Sequence, residues 1–137
     1  MYRVSSPDNS DSGIERLIQA MGLNAPRVTV ANIQANILSE HYFTAAEGVT
    51  GEIVEGNRSL DQEGLTGDHP LRLLTFCVLV LRNGFTVTGE SSCASPENFN
   101  ADIGKRIARA NAEQKIWPLM GYALKERLHA KTQGVSA

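Results

Sequence analysis

The clearest pattern of apolar and polar positions lies in residues 71–90, LRLLTFCVLVLRNGFTVTGE, where β-branched and aromatic residues flank an Asn-Gly pair. Strands favour such residues, and Asn83-Gly84 tolerates the positive φ values that a two-residue primed turn requires. That turn predicts Arg82 opposite Phe85, Val80 opposite Val87, Val78 opposite Gly89 and Phe76 opposite Ser91 on one face. The other face then pairs Leu81 with Thr86, Leu79 with Thr88 and Cys77 with Glu90. The first strand is apolar on both faces and the second on one only, so the first needs cover on both sides.

The remaining segments read mostly as helix. A short one is predicted from Asp11 or Ser12, with Ile14, Leu17, Ile18 and Met21 on one face and Gly22 as its stop. A second is predicted from Thr29, as N-cap, to about His41, with Val30, Ile33, Ile37 and Leu38 on its stripe. Residues 45–70 hold five glycines and several acids, and show little pattern beyond a short possible strand at Glu52 to Glu55. They are expected to form a mobile loop. Ser95-Pro96 opens one helical turn. The main helix is predicted from Ala101 to Trp117, burying Ile103, Ile107, Ala110 and Ile116, with a kink or restart at Pro118 and a continuation to His129. The expected architecture is α+β: a central antiparallel hairpin at about 71–91, N-terminal helices and a long kinked C-terminal helix. Residues 11–137 are expected to form a single domain, after a disordered stretch at 1–10.

Charge and cysteine content narrow the function. A net charge of −2 and a pI near 5.9 weigh against a protein that coats DNA or RNA, because such binding rests on many phosphate contacts. No apolar run is long enough to span a membrane, and MYRVSSPDNSDSG lacks the basic start and apolar core of a signal peptide. A cytoplasmic location is expected. Two cysteines are too few for a disulfide framework, so Cys77 is expected in the core and Cys93 as a free thiol. His41 beside Glu40 and His69 beside Asp68 lack the spacing of a metal site. No phosphate loop, HExxH or serine elbow is present, so no catalytic residue, metal or cofactor is expected.

Two arrangements carry binding chemistry. Arg82 facing Phe85 would place a guanidinium and a ring about 5 Å apart, able to stack on each other or jointly on a planar base. Lys105 and Arg109, four apart on a helix, could converge on one phosphate, with Arg127 further along; Asp102 sits four before Arg106. An ordinary cation–aromatic pair and a solvated basic face remain the plainer readings of each.

The block LLTFCVLVLRNGFTVTGESSCASPENFNADIGKRIARANAEQKIWPLMGYALKERL resembles a segment of a family of small tailed-phage proteins related to the first type of Thoeris anti-defence protein. The Asn-Gly-Phe turn, the Pro-Glu-Asn-Phe stretch, the Ile-Gly-Lys helix start and the Trp-Pro-Leu step carry the likeness over residues 71–128, with a looser echo at His41 to Ala45. The resemblance implies a non-catalytic sponge in the infected host's cytoplasm. Its partner would be a cyclic nucleotide signal, a cyclic ADP-ribose isomer or a cyclic oligonucleotide. By position it implies stacking on Phe85, and stacking or phosphate contact at Arg109. Arg82, Asn98, Lys105 and Arg127 complete the candidate ligand set. A doubly apolar strand adds the expectation of a dimer or higher homo-oligomer. Two other classes fit the same residues: a phage accessory protein that binds nucleic acid or a host protein, and a small cyclic nucleotide hydrolase recruiting His41, His69 or Cys93.

Overall fold

The computed structural model describes residues 8–56 and 65–134. In chain order they form α1 (Asp11–Ala20), α2 (Val30–Ala35), β1 (Ile37–Thr44), α3 (Ala45–Glu55), a 3-10 turn (Pro70–Leu73), β2 (Leu74–Leu81), β3 (Thr86–Ser92), a second 3-10 turn (Pro96–Asn98) and α4 (Ala101–Thr132). This is the α+β architecture expected from the sequence. No helix among these residues is long and apolar enough to cross a membrane. Two compact units emerge: Asn36–Pro118, and the residues up to Ala35 together with those from Leu119.

The larger unit is built on a three-stranded antiparallel sheet in the order β1-β2-β3. Its central strand is the doubly apolar one. A hairpin satisfies only one edge of such a strand, and a buried backbone edge left unpaired is costly. The segment predicted as the end of a helix from Thr29 to His41 therefore pairs as β1: α2 stops at Ala35, and His41 faces Val78 across the ladder. Ile37, Tyr42, Phe43 and Thr44 suit a strand better than a helix. Leu38 falls at a bulge between Ile37 and Ser39 and is 68% exposed.

The hairpin register also differs from the two-residue expectation. Gly84 N donates to Leu81 O at 2.9 Å, Leu81 N donates to Phe85 O at 2.8 Å, and Gly84 has φ +89°. The loop is thus Arg82-Asn83-Gly84, a turn closed by a left-handed glycine, and Val80 faces Thr86, Leu79 faces Val87, Cys77 faces Gly89 and Phe76 faces Glu90. The extra loop residue moves Val87 and Gly89 onto the buried face with Cys77, Leu79 and Leu81. Thr86, Thr88 and Glu90 go to the opposite face, which spares the core a carboxylate.

Against that buried face lies α4, and its contact stripe is not the predicted Ile103, Ile107 and Ala110. Gly104, Ala108, Ala112 and Ile116 are buried, whereas Ile103 and Ile107 are 56% and 46% exposed. Small residues at every fourth position let the helix backbone approach closely. A Cβ on Gly89 would stand 2.1 Å from Ala108 O. Asn100 caps the helix through Oδ1, which accepts from Ile103 N at 3.0 Å. The helix continues through Pro118 rather than restarting there.

Residues 45–55, expected in a loop with a possible strand at Glu52 to Glu55, form α3 instead. Thr44 and Glu47 close a capping box: Glu47 N donates to Thr44 Oγ1 at 3.2 Å and Thr44 N to Glu47 Oε1 at 3.0 Å. Such a reciprocal cap satisfies two donors that a helix start otherwise leaves open. Residues 57–64 of the expected loop lie outside the described residues, as do 1–7 of the expected disordered N-terminus.

In the smaller unit, Ser10 caps α1 by accepting from Gly13 N at 3.1 Å, and Gly22 with φ +67° follows its end. Thr29 and Asn32 cap α2 reciprocally, at 2.9 and 3.0 Å. Arg27 reaches Glu15 through both terminal nitrogens, at 2.8 and 2.6 Å. That guanidinium, helped by donors from Gln19 and Val30, holds the Glu15 carboxyl at about 2, below its ordinary 4.5, against the opposing effect of burial. A depressed folded-state pKa stabilises above the unfolded value and stops doing so as pH falls, here from 4.5 towards about 2. An NMR titration of the Glu15 carboxyl is expected to show this midpoint near 2, and Arg27→Gln is expected to return it to the ordinary carboxylate range. A wild-type midpoint already in that range would disprove the pairing.

Candidate functional site

The turn residues come first, because the loop geometry determines where they point. Arg82 belongs to the turn and is not a ladder partner of Phe85, which corrects the predicted cross-strand pair. Arg82 N donates to Asn36 O at 3.0 Å, and Asn83 Oδ1 accepts from Phe85 N at 2.9 Å. These bonds pin the backbone on both sides of the turn. Phe85 nevertheless stands 54% exposed, and Arg82 is exposed as well.

The basic face of α4 meets β1 instead of the turn. Arg109 is gripped by two carboxylates: it donates from Nε to Glu113 at 2.7 Å and pairs through a terminal nitrogen with Glu40. Next to this clamp, Lys105 Nζ lies 5.9 Å from the centre of the Tyr42 ring, at the outer reach of a cation–π contact. Tyr42 is paired across the ladder with Cys77. Burial raises the pKa of the Tyr42 hydroxyl, and Cys77 and Glu113 reinforce the shift; burial likewise pushes the Cys77 thiol up. The Cys77 thiol therefore stays protonated and serves as core. Cys93, half-buried, donates from Sγ to Ser95 O at 3.2 Å.

Contacts of this basic face run to Glu40 and Tyr42 of β1. Gly104 sits at the level of Thr75, where its Cβ would meet Thr75 Oγ1 at 3.0 Å, and Arg82 follows seven positions along the same strand direction. At about 3.3 Å per residue, that separates Lys105 from the turn by roughly 20 Å. Asn98 is exposed in the second 3-10 turn. Arg127 is exposed on α4 in the other unit.

A cleft of about 520 Å³ opens elsewhere in the larger unit, lined by Thr44, Glu47 and Thr50 from the start of α3, with Leu65, Arg72 and Phe99. Four separate segments contribute, so no local motif announced it. The Thr44-x-x-Glu47 spacing was the one available signal, as a helix start. Asn98, which directly precedes Phe99 in sequence, is not among the residues that line the cleft. Among the described residues, no three His, Cys, Asp or Glu side chains gather as a metal site.

The sheet, its pinned turn and the helix laid across it place the chain in the class of small α+β proteins. The model of the Phage protein (N4 Gp49/phage Sf6 gene 66) family matches residues 28–128, and the chain belongs to that family. The match takes in α2 and β1 as well as the hairpin and α4 up to Leu128. No curated protein and no solved structure matches the chain.

Proposed function

We propose that this phage protein binds cyclic nucleotide immune signals, cyclic ADP-ribose isomers or cyclic oligonucleotides, and holds them uncleaved, so that Thoeris-type immunity in the infected host's cytoplasm is starved of its signal. The observation that carries the reading is Phe85. A large aromatic ring is kept more than half exposed on a turn whose backbone is pinned by hydrogen bonds and which also carries the exposed Arg82. Exposure forgoes burial energy, of order 1 kcal/mol for half a ring, whereas a preorganised ring stacks on a base with about 1–3 kcal/mol. Arg82 and Lys105 supply positive charge for phosphates, and Asn98 supplies a further polar contact. Arg109 joins them only where a phosphate displaces Glu40. Since the turn and Lys105 are far apart in one copy, the reading includes a homo-oligomer in which a second copy's turn meets the basic helix.

The test is retention. Purified protein is mixed with cyclic ADP-ribose isomers and with cyclic di- and trinucleotides, washed and heat-denatured, and the released compounds are identified by mass. Intact signal is the expected product; a converted product would establish a hydrolase, and no retention of any signal would end the sponge reading. Phe85→Ala is expected to lower retention roughly ten-fold or more, the loss of one stacked base, without moving the melting temperature. Light scattering is expected to give at least twice the mass of one chain.

A further inference from the structure

The cleft beneath α3 combines three chemistries, a cation, a flat apolar wall and a carboxylate acceptor, the last of which the turn lacks. Its cation is Arg72, whose guanidinium has no carboxylate or hydrogen-bond partner among the described residues. Arg27, Arg16 and Arg109, by contrast, are each held by an acid. Its flat apolar wall is Phe99, with Leu65 also facing the space. Its acceptor is Glu47. The capping contacts of Glu47 all fall on Oε1, which accepts from Thr44 N at 3.0 Å and from Thr44 Oγ1 at 3.1 Å. Oε2 is left to accept from hydroxyl groups in the cleft, where the Thr50 hydroxyl is also available.

A single unpaired guanidinium suits one phosphate, which it can hold through two parallel hydrogen bonds. An aromatic wall suits a base, and a free carboxylate oxygen suits the vicinal hydroxyls of a ribose, the role an acidic residue plays in dinucleotide sites. The cleft's 520 Å³ falls within the usual range of small-molecule sites. The carboxylate also sets a limit, because its charge repels a second or third phosphate placed near it.

We propose that this cleft is a separate ligand site that takes a purine nucleoside 5′-monophosphate, with the phosphate on Arg72, the base against Phe99 and the ribose hydroxyls donating to Glu47. The site lies entirely within Asn36–Pro118 and does not use Phe85 or Lys105. It therefore stands whether or not the sponge reading does.

The experiment is calorimetric titration of the full-length protein with AMP, and in parallel with adenosine, ribose 5-phosphate and inorganic phosphate. AMP is expected to bind at least ten-fold more tightly than any of the three fragments. Arg72→Ala, at an exposed position, is expected to weaken AMP at least ten-fold and leave adenosine unchanged. Glu47→Gln keeps a capping acceptor yet is expected to weaken AMP several-fold and to leave inorganic phosphate unchanged. Phe85→Ala is expected to change none of these values. No AMP binding at millimolar concentration, or binding that survives Arg72→Ala in a folded protein, would overturn the site. Binding lost in Phe85→Ala but not in Arg72→Ala would move the nucleotide to the turn and equally overturn it.

Discussion

Gly89→Ala is expected to lose about 3 kcal/mol or more of stability, or to prevent folding at 37 °C, and urea denaturation of the purified variant measures it. The added Cβ would sit 2.1 Å from Ala108 O and 2.3 Å from Ala112 N. Both are backbone atoms of α4, so no side-chain rotation relieves the clash. The helix must retreat from the sheet, and Cys77, Leu79 and Ile116, each fully buried, lose contacts together. For a chain of this size the loss corresponds to a fall in melting temperature of roughly 10 °C. Gly121→Ala supplies the contrast. Nothing lies within 4 Å of its added Cβ, and alanine in a helix interior is favoured over glycine by up to about 1 kcal/mol. If Gly89→Ala melts within a degree or two of wild type, α4 does not pack on β3 as described.

Arg109→Ala is expected to cost about 2 kcal/mol, even though the residue lies on what the sequence presents as a basic binding face. Its guanidinium bridges Glu40 of β1 and Glu113 of α4, and its side chain is only 26% exposed. Removing it leaves two carboxylates near each other without their cation. Adding Glu40→Gln to Arg109→Ala should recover part of the loss at pH 7. Denaturant midpoints of the single and double variants at pH 7 check both statements. A deficit that is absent there, or that Glu40→Gln does not reduce, would show that the clamp does not hold β1 to α4.

The Arg109 case shows how far a spacing argument reaches. Lys105 and Arg109 do share a helix face, as their separation of four requires. Which acid that face meets depends on β1, whose first residues, Ile37 to about His41, read as the end of a helix. The same segment shows why: Ile33 and Ile37 fit a helical stripe, and only the open edge of β2 makes pairing the better use of Ile37–Thr44. At the hairpin, Asn83-Gly84 marks a turn correctly but is compatible with loops of two or three residues. Reading β3 for what a helix could accept would have separated them, because Val87 and Gly89 alternate with Thr86, Thr88 and Glu90. The α3 start was legible in Thr44-x-x-Glu47 and was masked by the glycines that follow it.

Short-range chemistry, then, was determined by the sequence alone: the cap at Thr29, the turn at Gly84, the 3-10 turn opened by Pro96, a doubly apolar strand, and a long helix from Ala101. Each depends on backbone conformations and hydrogen bonds within a few residues, which neighbouring side chains dictate. The tertiary structure alone decided the hairpin register, the conversion of Ile37–Thr44 to a strand, the burial of Gly104, Ala108 and Ala112 in place of Ile103 and Ile107, the capture of Arg109 by two acids, and the cleft around Arg72. Those outcomes compare whole arrangements, namely how closely a helix can approach a sheet and which charges are left without partners, and distant segments enter that comparison on equal terms with near ones.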